Sequence, residues 1–362
     1  MSRRTPNYTL KLERDRRVEG GRISDVQMVF LLVTSVLMTA LLFLPSIAAQ
    51  QAHEDSWLTP GLAIVPGMFI GLVVSGLFAV FGPIGFIRQS ETAFGAIVGK
   101  TIGMFYVWFF VYIAVLVVRQ IAEFMVTLFM PDTPLIAFLI TSLLVATYMA
   151  RLGLEPISRV TWFLPMFVFF IYLLILAASP EMDIQRIRPI LANGLRPLLI
   201  SVIPASAFRG ELIVAAFLLP YMTKPENGGR SVHISNITLA VVLVSTSLAT
   251  VAVLGGELPG HVPFPFFSVV RLISIGRFLN RLDLVLMSLW LGGTFIKLAV
   301  YLYVATLSLA QVGNFNEYRP LVLPMAALIV GLSNLSFNTG IDLGKALAEL
   351  FPRMAMWAEY AI

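Results

Sequence analysis

The chain contains no cysteine, which excludes disulfides, iron–sulfur clusters and thiolate metal sites. Histidine is nearly absent as well. His53, His233 and His261 are scattered through expected loops and helix ends, whereas a zinc site needs three or four clustered ligands, so no metal and no cofactor is expected. Charge is scarce: Asp, Glu, Lys and Arg make up 12% of the residues, against roughly 25% in a soluble domain. No Gly-x-Ser-x-Gly elbow, phosphate-binding loop, His-Glu-x-x-His or paired-aspartate motif occurs, so nothing marks an enzyme. The net charge of +5 sits at expected helix ends, with no aromatic-interleaved basic stripe, and does not point to nucleic acid.

What the chain has instead is hydrocarbon. Hydrophobic residues fill 58% of 362 positions, gathered into ten runs that reach or approach the roughly 20 apolar residues a helix needs to cross a bilayer about 30 Å thick. The expected fold is an all-α polytopic membrane protein with helices over 24–50, 58–82, 102–130, 134–152, 156–179, 195–222, 232–256, 283–311, 319–336 and 338–360. Residues 1–22 form a basic N-terminal tail with seven Lys or Arg, and residues 23–362 a single transmembrane domain, since the polar connections are too short for a further domain. The tail is too long and too basic for a signal peptide, so the first run is read as a retained helix.

Lys and Arg in short loops set orientation. The N-terminal tail, Arg88 with Lys100, Arg151, and Lys224 with Arg230 mark the cytoplasmic side, and an even helix count puts both termini there. The 51–57 and 131–133 loops lack Lys and Arg and suit the outside. The 257–282 connection carries Arg271, Arg277 and Arg281 among apolar residues at helical spacing, as expected for an amphipathic helix lying over the outer face. Gly67 and Gly71 form a small-residue packing seam on the second run.

A helix that only spans should be apolar throughout, so its exceptions are the candidate functional residues. The sixth run contains Pro204, Ser206, Arg209, Gly210 and Glu211 near its middle. Proline removes a backbone donor, glycine weakens a helix by about 1 kcal/mol, and each charge costs roughly 2.5–3.5 kcal/mol at mid-membrane. Such a segment persists where it faces a partner or a polar cavity, and a broken helix at the midplane is how many transporters build substrate sites. Arg119 and Glu123 stand four apart and share a face of the third run, and Lys297 lies near the centre of the eighth. Lys297 needs a carboxylate or a carbonyl cluster, and Glu211 and Glu123 are the acids at comparable depth. The first run carries Thr34, Ser35 and Thr39 in place of charge. The tenth run includes Asp342, Lys345, Glu349, Pro352 and Arg353.

Several phrases occur together: Ile23-Ser24-x-x-Gln27, Pro131-Asp132-Thr133-Pro134, Gly153-Leu154-Glu155-x-x-x-Arg159, Arg188-Pro189-Ile190-Leu191-x-x-Gly194, Gly210-Glu211 followed by Pro220, and Trp290 with Phe295-Ile296-Lys297. In this order and spacing the chain resembles the B-subunit family of bacterial spore germinant receptors, of the amino acid–polyamine–organocation superfamily, over roughly residues 23–345. The resemblance implies two inverted five-helix repeats with broken first and sixth helices and a ligand site between them, which would include Thr39, Ser206, Gly210 and Glu211. It implies a receptor subunit in the inner membrane of the endospore, with both termini on the core side, that senses a small nutrient, often an amino acid, and triggers germination. Its implied partners are a membrane A-subunit, a lipoprotein C-subunit and the surrounding lipid. A proton-coupled amino-acid permease is the alternative reading, because it needs the same cavity. Met38-Thr39-Ala40-Leu41 carries no glycine where relatives usually do. Sodium-coupled members of this fold bridge the first and eighth helices with a metal ion. Lys297 is expected either to fill that role among freed carbonyls near Thr39 or to pair with a glutamate.

Overall fold

A computed structural model describes residues 18–191, 193–273 and 281–360. Among these residues the chain is helical, and an isolated bridge between Ile23 and Met222 is its β-type pairing. Eight helical stretches are long and apolar enough to cross a membrane. The first of them, Asp25–Phe81, holds 57 residues. At 1.5 Å per residue that is nearly three bilayer thicknesses if straight, so it is not one crossing. It comprises α1 (Asp25–Ala52), a 3-10 turn over His53–Leu58, a single helical turn at Thr59–Leu62 and α2 (Ile64–Phe81). The chain turns at His53, whose φ of 46° lies in the left-handed region.

Helix α1 starts at a capping box. Ser24 Oγ accepts from the Gln27 backbone N–H at 3.3 Å, and Gln27 Oε1 accepts from the Ser24 N–H at 2.8 Å, satisfying donors that the first turn would otherwise leave open. From Leu31 to Ala49 every side chain of α1 is buried, as befits a helix apolar all round at the centre of a bundle. The first run is therefore not broken. It is one uninterrupted helix of 28 residues. The sequence Val36–Leu44 holds no glycine or proline, and Pro45, which offers no N–H to the Leu41 carbonyl, sits inside the helix without ending it. Ser35 Oγ donates back to Leu31 O at 2.8 Å without opening the turn.

Next come α3 (Phe86–Phe94), α4 (Ala96–Leu128) and α5 (Leu135–Leu152). Gly153, at φ 101°, then reverses the chain into α6 (Leu154–Ala177), which is interrupted by a 3-10 turn at Thr161–Phe163. The left-handed backbone at that corner favours glycine, which gives the Gly153-Leu154-Glu155 phrase its physical reason.

The sixth run begins as α7 (Leu195–Gly210), tightens into a 3-10 turn at Glu211–Ile213, resumes as α8 (Val214–Leu218) and tightens again at Leu219–Tyr221. Its break is thus a change of helix type at Gly210 and Glu211, where the chain stays coiled. The end of this run is tied to the start of α1: Ile23 N–H donates to Tyr221 O at 2.9 Å, Thr223 N–H to Ile23 O at 2.8 Å, and Arg22 to Pro220 O at 2.8 Å. The sixth run and α1 are consequently antiparallel neighbours in the core.

Helix α9 (Gly228–Leu254) packs on α1 and α2. A Cβ at Gly67 or Gly71 would fall on the side chains of Asn236 and His233 of α9, so the small-residue seam admits α9. Helix α10 (Pro265–Leu272) buries Phe266, Phe267, Val269 and Val270 and packs on α1 and α9 while Arg271 stays exposed. The amphipathic helix expected over 257–282 is present there as eight residues, and Arg277 lies outside the described residues. Helix α11 (Leu282–Gly313) packs along α4, α5 and α1, and α12 (Arg319–Ser336) on α5 and α4. The tenth run is not among the eight apolar stretches. It divides into α13 (Gly340–Lys345), a π-helical segment at Ala346–Leu350 and α14 (Phe351–Tyr360), and α14 packs on α7.

Candidate functional site

The centre of the bundle is where α7 changes helix type against α11. Lys297 is fully buried and Glu211 nearly so, at 0% and 2% side-chain exposure, and Lys297 Nζ stands 2.7 Å from Glu211 Oε2. Tyr301, four residues beyond Lys297 and thus on the same face of α11, donates its hydroxyl to the same oxygen at 2.8 Å. One carboxylate oxygen therefore receives an ammonium and a phenol, the charge-assisted arrangement that makes a buried pair tenable. This places Lys297 with a glutamate. The expectation that it fills a sodium-like position among freed carbonyls of the first run does not hold, because α1 is unbroken. The carbonyl of Met38 instead accepts the Trp290 indole N–H at 2.6 Å.

Beside this pair Thr39, Gln120, Phe208, Glu211, Lys297 and Phe351, among others, close around a narrow gap with no room for a water molecule. Thr39 donates to Gln120 Oε1 at 3.0 Å across it. The gap touches α1, α4, α7, α11 and α14 together, and the structure is closed around it.

The other sequence-chosen residues divide. Arg209 points away from Glu211: its guanidinium donates to Asn236 O at 2.9 Å, Asn236 Oδ1 at 3.3 Å and Pro60 O at 3.1 Å. It is held by oxygen dipoles rather than a carboxylate, joining α7 to α9 and to the turn before α2. Ser206 returns its hydroxyl to Val202 O at 2.7 Å, within its own helix. Gly210 makes room, since a Cβ there would collide with the Glu359 carboxylate.

Arg119 and Glu123 pair on α4 at 2.6 Å, and Arg119 also donates to Phe337 O at 2.8 Å and Ser333 O at 3.4 Å. Those carbonyls end α12, so this pair staples α4 to α12 and is separate from the Glu211–Lys297 pair. Glu123 lines a different cleft of about 650 Å³, bordered by Phe43, His261, Phe264, Lys345 and Glu349. Among the described residues no group of three or more His, Asp or Glu side chains could hold a metal ion.

Sequence reasoning did not single out Tyr301, Gln120 or Glu359. Tyr301 is legible in retrospect from its four-residue spacing after Lys297. Glu359 stands alone among Met356, Trp357, Ala358 and Tyr360, a carboxylate in an otherwise apolar turn.

A family described as spore germination protein matches residues 22–338. Spore germination protein KB of Bacillus subtilis (strain 168) is 26% identical over 339 residues, covering 92% of this chain and 89% of the relative. Spore germination protein YndE of the same organism is 23% identical over 295 residues, 81% of either chain. Spore germination protein XB of Bacillus anthracis is 26% identical over 176 residues, 48% of this chain and 49% of the relative. Eight apolar helices and a family match across most of the sequence lead to one assignment: this integral membrane protein belongs to the spore germination protein family.

Proposed function

We propose that this chain is the transporter-like B subunit of a germinant receptor, binding a small nutrient at the Glu211–Lys297 pair and passing that event on to trigger germination. The observation that carries the reading is the buried ion pair at the 3-10 turn of the sixth run, beside a gap shared by five helices. An α-amino acid bears an ammonium and a carboxylate, the two groups that can replace Lys297 and Glu211 as partners to each other. Exchanging one buried pair for two avoids leaving a charge bare, a loss worth several kcal/mol. The gap is too small for such a ligand as it stands, so binding requires the tightened segment after Gly210 to move. Helix-type changes of this kind mark hinges.

In this reading the ten apolar runs form two inverted five-helix repeats, with the crossings at Asp25–Phe81 counted as two and the tenth run included. The protein lies in the inner membrane of the endospore with both termini on the core side, beside an A-subunit and a lipoprotein C-subunit. The names of the relatives, all germination proteins, agree with a role in germination.

Equilibrium binding of labelled amino acids, sugars and nucleosides to the purified full chain tests the proposal. Saturable binding of one class that is lost in Glu211→Gln supports it, and binding that is indifferent to Glu211→Gln overturns the site. Concentrative uptake of the same compound by the lone protein in vesicles would replace the receptor by the permease.

A further inference from the structure

Helix α14 carries one carboxyl group into the core beside the helix break. Glu359 is 0% exposed, and neither of its side-chain oxygens has a hydrogen-bond partner among the described residues. It lies against Gly210, where any larger residue would collide with it, and close enough to Glu211, Lys297, Tyr301 and Tyr106 to interact with each through space.

The donors closest to it in charge or dipole bind elsewhere. Lys297 and Tyr301 of α11 both bind Glu211. Arg209 of α7 binds Asn236 and Pro60. The Tyr106 hydroxyl of α4 donates to Ala358 O at 2.5 Å, and the Tyr360 hydroxyl donates to Ser206 O at 2.7 Å. Glu211 and Lys297 cancel, and the Arg209 cation faces away toward Asn236 and Pro60, so an ionised Glu359 would have neither a cation nor a donor at hydrogen-bond distance, and a buried carboxylate in that position takes up a proton instead.

We propose that Glu359 is a proton-binding site and the reserve partner of Lys297. In the closed arrangement Glu359 holds the proton while Lys297 pairs with Glu211. When Glu211 is taken by another cation, the Lys297 ammonium turns to Glu359, which ionises and releases its proton. The charge balances: one cation enters, one proton leaves, and each carboxylate ends beside one positive group. On the reading of a nutrient site at this pair, an amino acid whose own carboxylate takes Lys297 would leave Glu359 protonated, whereas a cation that brings no anion would release one proton.

The test needs no ligand. Infrared spectra of the purified full chain at neutral pH read the protonated-carboxyl stretch directly. The wild-type protein shows a band that Glu359→Gln removes. Glu211→Gln, which frees Lys297, removes the same band although Glu359 is untouched. Adding Lys297→Met to Glu211→Gln restores it, because no cation is left to ionise Glu359. Should Glu359→Gln fail to fold, Glu359→Asp must shift the band rather than erase it. A wild-type spectrum with no component lost in Glu359→Gln overturns the proton site. A band that survives in Glu211→Gln overturns the exchange with Lys297. Either result stands whatever the protein does in germination, and a failed nutrient-binding assay would leave the spectra unchanged.

Discussion

Lys297→Met isolates the energetics of the central pair. The substitution keeps an unbranched apolar side chain of similar length and deletes the ammonium that stands 2.7 Å from Glu211. Glu211 then retains the Tyr301 hydroxyl, at 2.8 Å, and loses its counter-charge in a site with 2% exposure. Removing one partner of a buried ion pair costs about 3–5 kcal/mol. An unfolding entropy of about 2.1 cal/mol/K per residue, scaled to 362 residues, converts this to a fall of roughly 4–7 °C in Tm. Thermal unfolding of the purified protein in detergent measures it. Glu211→Gln in the Lys297→Met background removes the stranded carboxylate while keeping an acceptor for Tyr301, and should recover most of the loss, since neutral replacements of a whole buried pair are often close to isoenergetic. Glu211→Gln alone should be the milder single change, because Glu359 is there to receive Lys297. An unchanged midpoint in Lys297→Met, or a double variant less stable than Lys297→Met, would refute the reasoning.

Gly210→Ala should destabilise by about 1–3 kcal/mol through overpacking against the Glu359 carboxylate, read as a lower Tm that Glu359→Ala in the same chain largely restores. Arg119→Lys should cost about 1–3 kcal/mol, since a single ammonium cannot serve Glu123, Ser333 O and Phe337 O together; protease cleavage between α12 and α13 would rise in step. Thr39→Val deletes the 3.0 Å bond to Gln120 and should lower stability by only about 1 kcal/mol, with nutrient affinity measured on the same preparation changing more than Tm does.

Much of this arrangement is legible in the residues. Apolar runs give the crossings because composition alone decides which segments enter the bilayer. The four-residue spacing of Arg119 and Glu123 forces a shared helix face, and the pair forms. Pro204, Gly210 and Glu211 mark a core helix whose geometry changes, since each weakens or burdens the ladder locally. Partner choice is less legible. Whether Lys297 meets Glu211 or Glu123, and whether Arg209 meets a carboxylate or the oxygens of Asn236 and Pro60, depends on how neighbouring helices are rotated, which no local pattern encodes. The continuity of α1 follows from the lack of glycine between Val36 and Leu44, a local fact that outweighs the broken first helix implied by resemblance. Glu359 escaped notice because the tenth run carries several charges, and only the packing of α14 against Gly210 separates the buried one from those that face out.

Under the proposed function, Glu211 and Lys297 form the site through which this family member senses its nutrient. Germination kinetics of spores carrying Glu211→Gln, compared with the parent at matched membrane levels of the protein, test it most directly. Nutrient-triggered germination should be lost or severely slowed while the variant still inserts and accumulates. Kinetics equal to the parent's at equal protein level would contradict it.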